Sequence, residues 1–142
     1  MKNNESLLYH QNTISQQLFM FYLLGNTVFT IFVANTALVD KDLGLFIMIN
    51  IVLSLLAFLT AVRQRAYAIN WGYIGLAIGG FQILRSVWVP EEIGGSLRLL
   101  LIGLLFVTGS LAIVGSLMCL KRTTDRDQYI HDNDIDLSIL QQ

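Results

Sequence analysis

Four apolar stretches, each about twenty residues long and almost free of charge, alternate with short charged connections. They run from Leu18 to Val39, Leu43 to Val62, Ala68 to Val89 and Leu99 to Leu120. At ~1.5 Å rise per residue, each is long enough as a helix to cross the ~30 Å hydrocarbon layer of a bilayer. A soluble helix keeps one charged face, and none of these does. The pattern predicts an all-α integral membrane bundle of four transmembrane helices joined by short loops.

The connections are too short to fold by themselves. Residues 1–17 form one tail and 121–142 the other, the latter expected to be flexible, and neither can bury a core alone. The organisation expected is therefore a single transmembrane domain over 18–120 with two appendages. The first apolar run exceeds the 7–15 residues of a signal-peptide core and has only Lys2 as a basic flank, so it is expected to be a retained helix.

Charge sets the orientation. Arg63 and Arg65 occupy the second connection with no acid between them, and Lys121 and Arg122 follow the fourth run at once. The other two connections, with Asp40, Lys41 and Asp42 and with Glu91, Glu92 and Arg98, are net acidic. Basic residues beside a span prefer the cytoplasm. That places both termini inside, with Lys2, Arg63, Arg65, Lys121, Arg122 and Arg126 there and Lys41, Arg85 and Arg98 at the outer side. Tyr22, Tyr67 and Trp71 are expected in one interfacial belt and Trp88 in the other. A bacterial cytoplasmic membrane is the expected location. Only 13% of the residues are charged, against about 25% in soluble domains, and the formal net charge of −1 argues against nucleic acid.

Each span carries one narrow face of small or weakly polar residues. In the third these are Gly72, Gly75, Gly79, Gln82 and Ser86, at spacings of three and four that share a helical side. The fourth has Thr108, Ala112, Gly115 and Cys119; the second Asn50, Ser54, Ala57 and Ala61; the first Asn26, Thr30, Ala34 and Ala37. Such stripes let helices approach closely in lipid. They read first as packing faces and second as the lining of a ligand site. Asn50 and Gln82 lie at similar depth, where a mutual hydrogen bond would contribute ~0.6 kcal/mol.

No Asp, Glu, His or Lys lies within a span, so the chain offers no intramembrane proton carrier of its own. Arg85 is the exception among charged residues. It lies about four residues, ~6 Å, from the end of its span, so the expectation is that it snorkels to the outer headgroups. There Glu91, Glu92 or a lipid phosphate would neutralise it. Contact with a partner subunit or an anion is the other reading. The lone Cys119 cannot form an internal disulfide or a thiolate zinc site. His10 and His131 lack partners at ligand spacing. Asp132, Asp134 and Asp136 imitate the start of a calcium loop, but Leu137 stands where its glycine belongs. No catalytic residue, cofactor site or metal site is expected, and no enzyme.

The favoured expectation is a non-catalytic subunit or scaffold that packs through its small-residue faces into a larger membrane complex, as a homo- or hetero-oligomer. The alternative is a small transporter or channel component, acting as an oligomer or beside an energising partner. The bilayer is the first partner, and the C-terminal tail has the length to meet a cytoplasmic one.

Overall fold

The computed structural model describes residues 12–36, 41–91 and 93–133. Among these the chain is helical with no strand: α1 Thr13–Thr36, α2 Lys41–Arg65, α3 Ile69–Arg85 and α4 Gly95–Asp132. A 3-10 turn, Ser86–Trp88, prolongs α3. Three helices are long and apolar enough to cross a membrane: α1, α2 from Gly44, and α4. At 17 residues α3 is shorter. The outward residues, such as Leu45, Met48, Val52, Leu55, Leu99 and Leu100, are all more than half exposed. An apolar surface this extensive suits hydrocarbon rather than water.

Lipid supplies no hydrogen-bond partners, so polar side chains on such helices must be satisfied by the protein. Thr27, Thr30, Thr60, Ser110 and Thr124 meet this locally. Each donates its hydroxyl to the carbonyl four residues earlier, at 2.7–3.0 Å. These residues therefore sit inside helices without interrupting them.

Each helix packs on the next in the chain and α4 closes against α1, while α2 and α3 touch least along this ring. One end is tied by Asn12, the residue before α1. Its N–H donates to the Arg65 carbonyl at 3.1 Å, its side-chain oxygen accepts from Arg122 at 3.1 Å, and its amide nitrogen donates to Ser15 at 2.8 Å. The turn between α2 and α3 lies at the same end. There the Ala68 N–H donates to the Arg63 carbonyl and the Tyr67 N–H to the Gln64 carbonyl. This is the Schellman closure of a helix, with Tyr67 at φ 58° in the left-handed position that usually takes glycine. Tyr67 is held there by contacts to α4: its carbonyl accepts from Thr123, and the Arg126 guanidinium lies 5.2 Å from its ring centroid.

The opposite end is closed by Phe29, Val33, Val89, Ile93, Leu101 and Leu105, and the middle by Phe19, Tyr22, Ala57, Ala61, Ile78 and Ala112. The closest approach is between α3 and α4. A methyl group on Gly79 would lie 2.9 Å from the Gly109 carbonyl oxygen, and one on Gly109 would lie 2.9 Å from that of Gly79. Neither position has room for a side chain.

The helices depart from the hydropathy pattern in three places. First, α4 does not end near Leu120 but continues to Asp132. Residues 121–132 are therefore helical, whereas the pattern assigns them to a flexible tail; residues 134–142 lie outside the described ones. No glycine or proline interrupts the chain there, and Thr123 and Thr124 bond back into the helix. Second, the buried face of α1 is Ser15, Phe19, Tyr22, Gly25, Asn26, Phe29 and Val33. Thr30 and Ala34 stand only at its edge, and Ala37 lies outside the described residues. Third, Tyr22 is fully buried in the core and takes no part in an interfacial belt, whereas Trp88 is 71% exposed.

Candidate binding site

Arg85 does not reach outward. Helical side chains lean toward the N-terminus of their own helix, and for Arg85 that direction leads back along α3 into the bundle. Its position three residues beyond Gln82 puts it beside the polar stripe. The result is an arginine only 8% exposed, its guanidinium surrounded by amides from three helices.

One terminal nitrogen donates to Asn26 Oδ1 at 2.9 Å and to Gln82 Oε1 at 3.2 Å. The other donates to Asn50 Oδ1 at 2.9 Å. Above the guanidinium lies Phe29, its ring centroid 4.7 Å from the guanidinium carbon, with Phe81 at 6.0 Å. The amides are held in turn by their NH₂ groups. Asn26 donates to Ser54 at 3.1 Å, Asn50 to the Phe46 carbonyl at 2.8 Å, and Gln82 to Thr108 at 3.5 Å. Tyr22 donates its hydroxyl to Gln82 Oε1 at 3.4 Å. Every carbonyl oxygen of the three amides therefore faces the cation.

Charge is the unusual feature. Among the described residues Arg98 pairs with Glu91, and His131 lies 4.0 Å from Asp132; neither contact involves Arg85. Glu92 lies outside the described residues. Glu91 is engaged by Arg98 at 3.5 Å. Amide dipoles solvate a cation but do not cancel its charge, and a buried charge without a counter-ion is costly in an apolar medium. A guanidinium has five N–H donors, more than the three bonds found here require.

Arg85 and Asn50 supply the polar wall of a cavity of about 280 Å³ between α1, α2 and α3, otherwise lined by apolar side chains including Phe29, Phe46, Phe81 and Trp88. A second cavity of about 420 Å³ lies between α1 and α2, and Asn50 lines that one too. One cation in an apolar and aromatic setting can attract and desolvate an anion. Among the described residues no nucleophile and base stand together, and no group of three His, Cys, Asp or Glu converges.

The stripes read from the sequence thus separate into two jobs. Asn26, Asn50, Ser54, Gln82 and Thr108 gather around Arg85. Asn50 and Gln82 meet through its guanidinium, whereas their similar depth led to the expectation of a mutual bond. Gly72, Gly75, Gly79, Ala112 and Gly115 pack helices within the chain: Gly72 against Leu120, Gly75 against Ser116 and Phe19, Gly79 against Gly109, and Gly115 against Leu18. Thr30 lines the α1–α2 cavity, and Ser86 donates to the Ile83 carbonyl at 2.6 Å.

Phe29 and Phe81, which the sequence pattern does not mark, belong to the site, and so does Tyr22, expected instead in an interfacial belt. Their signal was position: Tyr22, Asn26 and Phe29 follow one another at helical spacing. A separate buried cluster centres on Gln64, which the pattern places in a connection. Its Nε2 donates to the Trp71 carbonyl at 3.0 Å and to Ser116 at 3.1 Å, and its Oε1 has no partner among the described residues. Cys119 lies against it, with Sγ 3.8 Å from the Gln64 carbonyl.

Comparisons with protein-family models, with curated proteins and with solved structures gave no match.

Proposed function

We propose that this chain is a four-span membrane protein that binds an anion at Arg85, as a small transporter or ligand-binding component rather than an enzyme. In this reading α3 completes its crossing through the 3-10 turn, since 17 and 3 residues together make a run of 20. Arg63, Arg65, Lys121 and Arg122 keep the Asn12 end at the cytoplasmic face. The Arg85 cavity then lies in the outer half of the bilayer. The observation that carries the reading is a buried Arg85 whose acceptors among the described residues are all neutral amide oxygens, while it lines a cavity.

The glycine faces, by contrast, meet their partners inside the chain. A scaffold role therefore draws no support from those faces. Assembly with other membrane subunits is kept as a second reading by Gly80 and Gly103, where nothing lies within 4 Å of a would-be side chain and another helix can come close.

The test is equilibrium binding to the purified protein in a neutral detergent, comparing small phosphates and carboxylates with cations of similar size. Saturable binding of anions alone, lost in Arg85→Gln, is expected. Binding of neither class, or binding indifferent to Arg85, would remove the proposal.

A further inference from the structure

We infer that the anion is the head of an amphiphile, an anionic phospholipid of the surrounding bilayer, with its phosphate at Arg85 and one acyl chain in the groove between α1 and α2. This rests on the anion-binding reading above. It adds the chemistry of the rest of the ligand.

The two cavities share one residue, Asn50. On one side its carbonyl oxygen accepts from Arg85; on the other, its side chain forms part of the groove wall. A molecule spanning both would turn past Asn50 from a charged compartment into an apolar one. The groove itself has little use for a polar ligand. Its walls are Leu23, Ile31, Ile47, Ile51, Leu55 and Phe58. Two of its hydroxyls donate within their own helix, Thr27 to the Leu23 carbonyl and Thr30 to the Asn26 carbonyl, and Ser54 accepts from the Asn26 amide.

Length points to a lipid chain. On α2 the groove runs from Ile47 to Phe58, and at 1.5 Å per residue that is about 16 Å. One leaflet is half of the ~30 Å hydrocarbon layer. The groove is therefore about as long as one leaflet is thick, and Asn50 stands near its Ile47 end. Charge selects among lipids. A zwitterionic head would bring its own cation beside Arg85, whereas an anionic head supplies a counter-charge that no described residue provides. Its phosphate oxygens would accept the guanidinium N–H groups the amides leave over.

The experiment measures retention of added lipid on the detergent-purified wild-type protein by native mass spectrometry. Phosphatidylglycerol, phosphatidylcholine and inorganic phosphate are compared. Retention of phosphatidylglycerol at about tenfold higher affinity than phosphatidylcholine, a difference of about 1.4 kcal/mol, is expected. Arg85→Gln should abolish that preference, and Ile51→Trp, which fills the groove, should weaken phosphatidylglycerol retention. Equal retention of the two lipids would overturn the inference by showing an unselective annular contact. Inorganic phosphate binding as tightly as phosphatidylglycerol would also overturn it, while leaving the anion site in place. Failure of every anion to bind would remove both. Because these arms use wild-type protein, a variant that fails to fold does not decide the outcome.

Discussion

Asn26 and Arg85, 59 residues apart in the chain, face each other at 2.9 Å, a neutral amide where an ion pair would have a carboxylate. The amide solvates the guanidinium and leaves its charge free to act on something else. Asn26→Asp would supply the missing negative charge with almost no change of shape. The expected outcome is a folded protein of undiminished stability whose affinity for anions falls by at least about tenfold, or ~1.4 kcal/mol. Thermal unfolding and anion binding measured on the same preparation would check it. An Asp variant that binds anions as wild type does would mean that Arg85 never meets them.

Arg85 also holds α1, α2 and α3 together, so its removal should be felt in stability. Arg85→Met fills similar space but leaves the oxygens of Asn26 and Asn50 without their donor, while Gln82 Oε1 keeps only the Tyr22 hydroxyl. Each buried acceptor so orphaned costs about 1–3 kcal/mol. Arg85→Lys should not restore the loss, because an ammonium cannot spread its donors over three oxygens as a planar fork does. Unfolding in mixed micelles should rank wild type above Lys and Lys above Met. Equal stability of Lys and wild type would show that charge alone, without the fork, ties the helices.

Much of this was legible in the sequence, and each exception has its own physical cause. The spacing of Gly72, Gly75, Gly79 and Gln82 on α3, and of Thr108, Ala112, Gly115 and Cys119 on α4, marks faces that are buried. Small residues can serve few purposes on an apolar helix except close approach. Arg85 was harder because helical spacing gives the angle of a side chain around the axis and says nothing of its lean along it. The reach of its three-methylene stem and guanidinium toward the N-terminus turned a residue near the span's end into an interior one. On α1, aromatic residues hide the site: Phe19, Tyr22 and Phe29 look like lipid-facing bulk, and only the partners on α3 and α4 decide that they are core. The continuation of α4 was hidden by its charges, which end an apolar run without ending a helix.

Orientation is testable by placing single cysteines at the two ends of the bundle, in a background where Cys119→Ala removes the native thiol. Glu91 lies between α3 and α4 and is exposed. Thr124, also exposed, lies on α4 close to Thr123, at the Asn12 end. With basic residues inside, Glu91→Cys should react with a membrane-impermeant maleimide on intact cells. Thr124→Cys should react only after permeabilisation. The reverse pattern would turn the protein over and place the Arg85 cavity in the inner leaflet.

Gly79 and Gly109 offer an internally controlled measure of how closely α3 and α4 must approach. A methyl group at Gly79 meets the Gly109 carbonyl oxygen at 2.9 Å and the Ile113 nitrogen at 3.0 Å, so the obstacle is backbone and cannot rotate away. Gly79→Ala should therefore push the helices apart, costing about 1–3 kcal/mol as overpacking does. Gly109→Ala should behave alike. The next residue on α3 provides the comparison: nothing lies within 4 Å of a methyl group at Gly80. Gly80→Ala gains the better helix propensity of alanine, about 0.8–1.0 kcal/mol at most, and should leave stability unchanged or slightly raised. Because Gly79 is followed on its face by Gln82, the Gly79 variant should also loosen the Gln82–Thr108 contact and weaken anion binding, while the Gly80 variant should not. Matched unfolding and binding curves for the three variants would separate helix packing from the site it supports. An unaffected Gly79→Ala would mean that α3 and α4 are not in contact there.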